Sequence, residues 1–267
     1  NRIGGITLAD GTAFGGTAEG ESLYRYYGYV VDRILETQAD ADNAMYDNSA
    51  KGYRHSDGKR IAGRKEIGDY EWKNREGSLQ KDGKDYVDSQ DQFFLGYTVP
   101  HSTGGLNNNF SYKNFNLSVF LDWALGHSIN NNTEMRYFMN TFANNYTLID
   151  EVKQCWAQPG DNTKYARFTA NDPDDGNANF SRTSNIFNYK GDYLCIREVT
   201  LQYMVPAQFI SKLGIQHMAL TLSGNNLHYF TAVKGVSPEV GASTTYNASY
   251  YNYPPIRKYA IGVKVTF

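Results

Sequence analysis

Residues 257–267 (RKYAIGVKVTF) constrain what this chain can fold into more than any other stretch. Side chains alternate between the two faces of a strand. Arg257, Tyr259, Ile261, Val263, Val265 and Phe267 therefore share one face, and Lys258, Ala260, Gly262, Lys264 and Thr266 share the other. Ten steps of about 3.3 Å, tilted by about 40°, climb about 25 Å, which is the height of the apolar band around an outer-membrane barrel. A membrane-spanning β-strand accounts for the one-sided apolar face, the length and the aromatic terminus together. A soluble edge strand accounts for the alternation alone.

Composition excludes other membrane architectures. No run of eighteen apolar residues occurs, and the mean hydropathy is −0.58, so transmembrane helices are not expected. A polar average does not exclude a barrel, because half of each spanning strand faces a wet interior. The formal net charge of −2 gives no electrostatic reason to expect nucleic acid. Tyr is the skewed residue, 22 of 267, with 14 Phe and 3 Trp beside it. Aromatics favour strands and also form the interfacial girdles of barrels. A Tyr-rich secreted or cell-surface β-sandwich that binds glycans is the alternative this composition leaves open. Cys155 and Cys195 make neither a disulfide framework nor a metal cluster, and no cofactor is expected.

Further strands fall at 218–230, 192–205, 115–126 and 103–112, with an aromatic strand at 23–35 and another candidate at 3–8. The alternation slips at Arg197-Glu198 and near Gly224-Asn225-Asn226, as β-bulges would make it do. Lys113-Asn114 is a two-residue hairpin connection, and 206–215 reads as one or two helical turns closed by Gly214. If the final strand runs inward, the outer connections are 231–255, 127–191 and 36–101, and the inner ones are 206–216 and 113–114. Long outer loops with short inner turns are the barrel pattern. Residues 133–156 are expected to contain one or two short helices, whereas 40–91 and 157–188 carry turn chemistry without periodicity. About seven or eight strands are expected in all.

Three runs then carry a family resemblance: GDYLCIREVTLQYMVPAQFISKLGI (191–215), LTLSGNNLHYFTAVKGVSPEVG (220–241) and YPPIRKYAIGVKVTF (253–267). With GYTVPHSTGGLNNNFSYKNFNLSVFLDWALG (96–126) before them, and more loosely YRYYGYVVDRIL (24–35), they resemble the carboxyl end of SusC/RagA-type TonB-dependent outer-membrane transporters. The resemblance implies an all-β fold, with residues 1–267 forming the C-terminal part of an antiparallel transmembrane barrel of about 22 strands. The plug, the TonB-engaging segment and the other strands are then expected upstream. It also implies a Gram-negative, Bacteroidetes-like outer membrane, a SusD-like surface lipoprotein as partner, and an oligosaccharide or peptide as cargo.

Catalytic chemistry is sparse, and no enzyme is expected. Residues 55–57 (HSD) hold triad residue types, but adjacent loop residues cannot adopt triad geometry. Residues 172–176 (DPDDG) lack the spacing of a calcium loop. His101 and His127 read as interfacial residues at strand ends, and Tyr229, Phe230, Tyr259 and Phe267 as girdle aromatics. On the final strand Tyr259, Ile261, Val263, Val265 and Phe267 are expected to face lipid, while Asp122, Lys258 and Lys264 face the lumen. Trp72, Tyr137, Trp156, Tyr246, Tyr250, Tyr251 and Tyr253 are candidates for substrate or lid contact, with packing of the loops on themselves as the competing reading.

Overall fold

The computed structural model describes residues 24–47, 53–54, 60–61, 63–75, 80–81, 83–139, 148–169, 178–239 and 255–267. They divide into two compact units, one holding the described parts of 24–98 and 130–189, the other those of 99–129, 190–239 and 255–267. The candidate strand at 3–8 lies outside the described residues, as do the sequences at 55–57 and 172–176.

The first unit contains strands β1 (Arg25–Tyr29), β2 (Val31–Ile34), β3 (Tyr70–Trp72) and β4 (Gln92–Tyr97), with helices α1 (Gln38–Asn43) and α2 (Asn132–Met139). The single strand expected over 23–35 is in fact two, because its halves pair with different partners. β1 pairs antiparallel with β4, and β2 with β3. A capping box starts α1: the Asp40 amide donates to Thr37 Oγ1 (3.1 Å) and the Thr37 amide donates to the Asp40 carboxylate (2.9 Å). The helix α2 and a 3₁₀ turn at Asp150–Gln154 fulfil the expectation of short helices over 133–156.

The segments that lacked periodicity hold the largest core. Met45, Trp72 and Val87 pack with Phe138, Val152, Tyr165, Phe180, Ile186 and Phe187. The Phe138 ring stacks on Tyr165 at 4.3 Å and meets Phe180 at 5.2 Å and Phe187 at 5.3 Å. Ion pairs are buried beside it. Lys65 Nζ lies 2.6 Å from Glu71 with both side chains enclosed, and Arg182 lies 2.7 Å from Asp47. Asp69 accepts from Arg167 Nε (2.6 Å) and from Asn179 Nδ2 (2.8 Å).

The second unit is one antiparallel sheet. Its strands are β5 (Ser102–Tyr112), β6 (Phe115–Leu125), β7 (Tyr193–Met204), β8 (His217–Thr231) and β9 (Lys258–Thr266), in the order β9-β8-β7-β6-β5. The hairpin at 113–114 forms as expected, with Lys113 at φ 51°. The β7–β8 connection contains α3 (Ala207–Ile210) and closes at Gly214, φ 70°. Among the described residues this sheet has five strands, and its two outer edges carry no partner strand.

Register aligns the alternation across all five strands. Phe110, Leu117, Leu201, Leu222 and Ile261 form one cross-strand row, and Tyr112, Phe115, Tyr203, Leu220 and Val263 form another. Between them, on the opposite face, run Ser111, Asn116, Gln202, Thr221 and Gly262. The sheet therefore has one apolar and one polar face. Among the described residues no second layer covers the apolar face: Tyr259, Ile261, Val263 and Val265 are 72, 84, 59 and 36% exposed. A β-sandwich buries this face against another sheet, so the sandwich alternative is not met among the described residues.

The enclosed Lys65–Glu71 pair generates the first expectation. Lys65→Met leaves a carboxylate buried without its counter-ion, which costs about 3–5 kcal/mol. Denaturant unfolding of the full-length protein should show that loss in the first unit, whereas the exposed-pair change Lys153→Met should leave the transition where it was.

Candidate functional site

The functional chemistry of the sheet lies on its polar face and begins with a bulge. Phe120 pairs with Glu198 and Leu121 with Ile196, so Arg197 is an extra residue in β7. The insertion shifts the alternation by one, as the residue pattern predicts, and brings Arg197 to the same face as Asp122. The guanidinium forks onto that carboxylate, with Nε–Oδ1 at 2.8 Å and Nη2–Oδ2 at 2.7 Å. Nη1 donates to Asn226 Oδ1 (2.8 Å) and to the Tyr229 hydroxyl (3.2 Å), and Nη2 also meets Glu239. The Tyr229 hydroxyl donates to Glu239 Oε1 at 2.8 Å. Asn226 sits at φ 53° in a second irregularity, opposite the bulge, where β8 also gains residues relative to β7.

Asp122 is thus on the polar face as expected, but it is held by Arg197 and not simply hydrated. Lys258 and Lys264 share this face, opposite Asn225 and Ala219, and both are exposed. Tyr229 corrects an expectation. The register shift turns it to the polar side, where Glu239 and Arg197 bind its hydroxyl, so it is not a girdle residue; Phe230 stays on the apolar side. Phe267 lies just past β9 and is 78% exposed. Arg197 and Glu239 were missed as functional residues by sequence reasoning, although the slip in alternation at 197–198 marked the spot.

His127 is a second correction. It is enclosed, not interfacial, because it follows β6 into a cover made by Gly191 and the Pro238 carbonyl. A Cβ on Gly191 would come 2.4 Å from the imidazole, so only glycine fits there. The Gly191 amide donates to the His127 carbonyl (2.8 Å), and the Gly126 amide donates to Asp192 Oδ1 (2.6 Å). Burial holds the imidazole pKa below its ordinary value, against the opposing pull of Asp192 and the Pro238 carbonyl.

The outer aromatic candidates separate. Trp72 is 2% exposed, packed between Tyr29 and Tyr70 with the Arg182 guanidinium over its ring, which makes it a core residue and not a contact residue. It backs an open cleft of about 520 Å³ whose rim carries Asp32, Arg33, Lys73, Asn74 and Phe93. Trp156 is half-buried over Gly68, φ 88°, and its amide donates to the Tyr165 carbonyl. Tyr137 is half-buried on α2. Tyr246, Tyr250, Tyr251 and Tyr253 lie outside the described residues. Near α2, Tyr165 and Tyr189 both donate to Glu134, at 3.4 and 2.6 Å, and burial, reinforced by this carboxylate, pushes the Tyr165 phenol up to about 12. These hydroxyls are structural donors, not acids.

A five-stranded antiparallel sheet with one face apolar and exposed among the described residues, and a polar face bearing a charge network, defines the class: an antiparallel, mostly β fold. No family model matches the chain. TonB-dependent receptor P3 of Formosa agariphila is 27% identical over 194 residues, 70% of this chain and 18% of that protein. TonB-dependent receptor P39 of the same organism is 26% identical over 269 residues, 90% of this chain and 24% of that protein. The structure of the RagAB peptide transporter matches 96% of this chain and 24% of the solved chain, with a TM-score of 0.62 at 17% identity. The RagAB peptide importer in the "closed-closed" state matches 98% of this chain, with a TM-score of 0.56 at 16% identity. This chain is similar to the SusC/RagA-type TonB-dependent transporters, in sequence to the receptors and in fold to the RagAB barrel. It spans about a quarter or less of the length of each. The proteins it resembles are receptors and transporters, not enzymes.

The depressed His127 pKa has a definite sign. A neutral folded-state imidazole means that the unfolded chain binds more protons below pH about 6.5, so this group's contribution to stability falls as pH drops through that value towards the lower folded one. Between pH 7.5 and 5.5 the full-length protein should lose stability, and His127→Gln should flatten that slope in parallel denaturation series.

Proposed function

We propose that this chain forms part of the barrel wall and outer segments of a TonB-dependent outer-membrane importer. The observation that carries the reading is the exposed apolar face of the five-stranded sheet. In water such a face is an association liability, whereas in a bilayer it is the lipid contact. Tyr259, Ile261, Val263 and Val265 then face hydrocarbon, with Phe267 at the interface. Asp122, Lys258, Lys264 and the Arg197 network face the wet lumen. The sheet is part of a closed barrel of about 22 strands, and the long connections 36–101, 127–191 and 231–255 lie outside the cell. No helix among the described residues is long and apolar enough to cross a membrane.

In this reading the importer takes up oligosaccharides or peptides. The RagAB structures, named as a peptide transporter and importer, favour peptides. A SusD-like lipoprotein closes the outer side, TonB supplies the energy through a segment outside this chain, and the plug and remaining strands complete the barrel. The outer unit, rigidified by its own core, presents polar edges and half-buried aromatics such as Tyr137 and Trp156 to the lid or the cargo.

Depth-dependent substitution tests the facing. An Arg near the midplane of the lipid face costs about 2–4 kcal/mol, and on the lumen side far less. In the full-length protein Ile261→Arg should destabilise the barrel by about that amount, and Lys264→Arg should be close to neutral. Spin labels at Ile261→Cys and Lys264→Cys should respond to oxygen in lipid and to a water-soluble relaxant respectively. Equal water access at both sites would overturn the reading. Loss of labelled oligopeptide uptake on deletion of TonB tests the energetics.

A further inference from the structure

We propose that Arg197 is a clamp that folds the outer segment 232–239 back into the barrel mouth. The inference rests on the lumenal assignment of the polar face made above. β8 ends at Thr231, which pairs with Tyr193 at the outer end of β7. Arg197 lies four residues further along β7, so at about 3.3 Å per residue its guanidinium is more than about 10 Å below that end. Glu239 nevertheless reaches it. The chain leaving β8 therefore reverses and descends over the polar face, turning at Gly235, φ 74°. The Ser237 hydroxyl accepts from the Glu239 amide (3.3 Å) and shapes the last turn.

The clamp is saturated. A guanidinium has five N–H donors, and Arg197 has five partner contacts: two to Asp122, and one each to Asn226, Tyr229 and Glu239. No donor remains for an anionic cargo, which argues against an anion-binding role. The fork onto Asp122 instead fixes the guanidinium rigidly on the wall, and Glu239 docks on what is left. Tyr229 gives Glu239 a second donor from β8. Clamp residues thus come from β6, β7 and β8, while the clamped carboxylate comes from the outer connection. A loop so held narrows the lumen at its mouth and sets where the following outer residues begin.

Hydrogen exchange read by mass spectrometry on the full-length transporter tests the clamp. Glu239→Gln removes the charge while keeping the shape, and Arg197→Met removes the guanidinium. Each should speed exchange of the 232–239 amides about tenfold or more, as expected for losing a charge-assisted bond, with β7 and β8 amides still protected. The double variant should exceed the larger single effect little if at all. Unchanged exchange over 232–239 would overturn the proposal. So would parallel opening of β7 and β8 in Glu239→Gln, since Arg197 would then staple the sheet and hold no loop. If Arg197→Met fails to assemble a heat-modifiable barrel, Glu239→Gln decides alone. Exchange of this segment does not depend on what contacts the sheet's apolar face, so failure here is distinct from failure of the spin-label test of the lipid reading.

Discussion

Backbone pairing in phase is the constraint from which the sheet's other properties follow. A strand's side chains alternate, so a one-residue slip exchanges its two faces entirely. Here the row Phe110–Leu117–Leu201–Leu222–Ile261 crosses five strands without a polar member. Each pair in it tolerates only one register. That coherence makes a continuous apolar surface out of strands that are individually only half apolar, and it leaves the other surface free for Asn, Ser, Thr and charge. Ladder hydrogen bonds between neighbouring strands pair the backbone inside the sheet.

The same constraint explains why the charge network sits where the ladder is broken. Continued without a break from Thr200 and Glu198, the alternation would place residue 197 on the apolar face and Cys195 with it. One inserted residue reverses the alternation and delivers a guanidinium to Asp122 on the opposite face. The neighbouring strand answers with its own irregularity at Asn226, whose carboxamide oxygen accepts from the same guanidinium. The irregularities therefore place a half-buried ion pair on the polar face, keep that charge off the apolar surface, and turn Tyr229 to the polar side. Two local deviations serve one polar cluster.

The sheet was legible in the residues because its signal has a period of two and is long. The strands at 103–112, 115–126, 192–205, 218–230 and 257–267 all appear within a residue or two of the expected bounds, and both slips fall where the pattern breaks. The first unit was not legible in the same way. Its core residues Met45, Trp72, Val87, Tyr165, Phe180 and Phe187 come from short segments far apart in sequence, so no window shows a period. Trp72 shows the consequence: an isolated aromatic in polar surroundings looks like a contact residue, yet it is enclosed by groups contributed from 29, 70 and 182. Tyr229 failed for a different reason. Its facing depends on a register offset that alternation along one strand cannot count.

The two units divide the physical work. The sheet has only a small buried cluster of Ala124, Tyr193 and Cys195 with Tyr229 against it, so its cohesion comes from the ladder and from whatever solvates its apolar face. Among the described residues the first unit has no ladder of comparable length, and instead buries aromatic surface to order irregular backbone. Its enclosed ion pairs sharpen that solution. Lys65–Glu71, Arg182–Asp47 and Arg167–Asp69 join segments up to 135 residues apart, and each leaves a desolvated charge unmet in any other packing. Such pairs add little net stability against apolar replacements. They discriminate strongly among the many packings open to long loops with scattered aromatics.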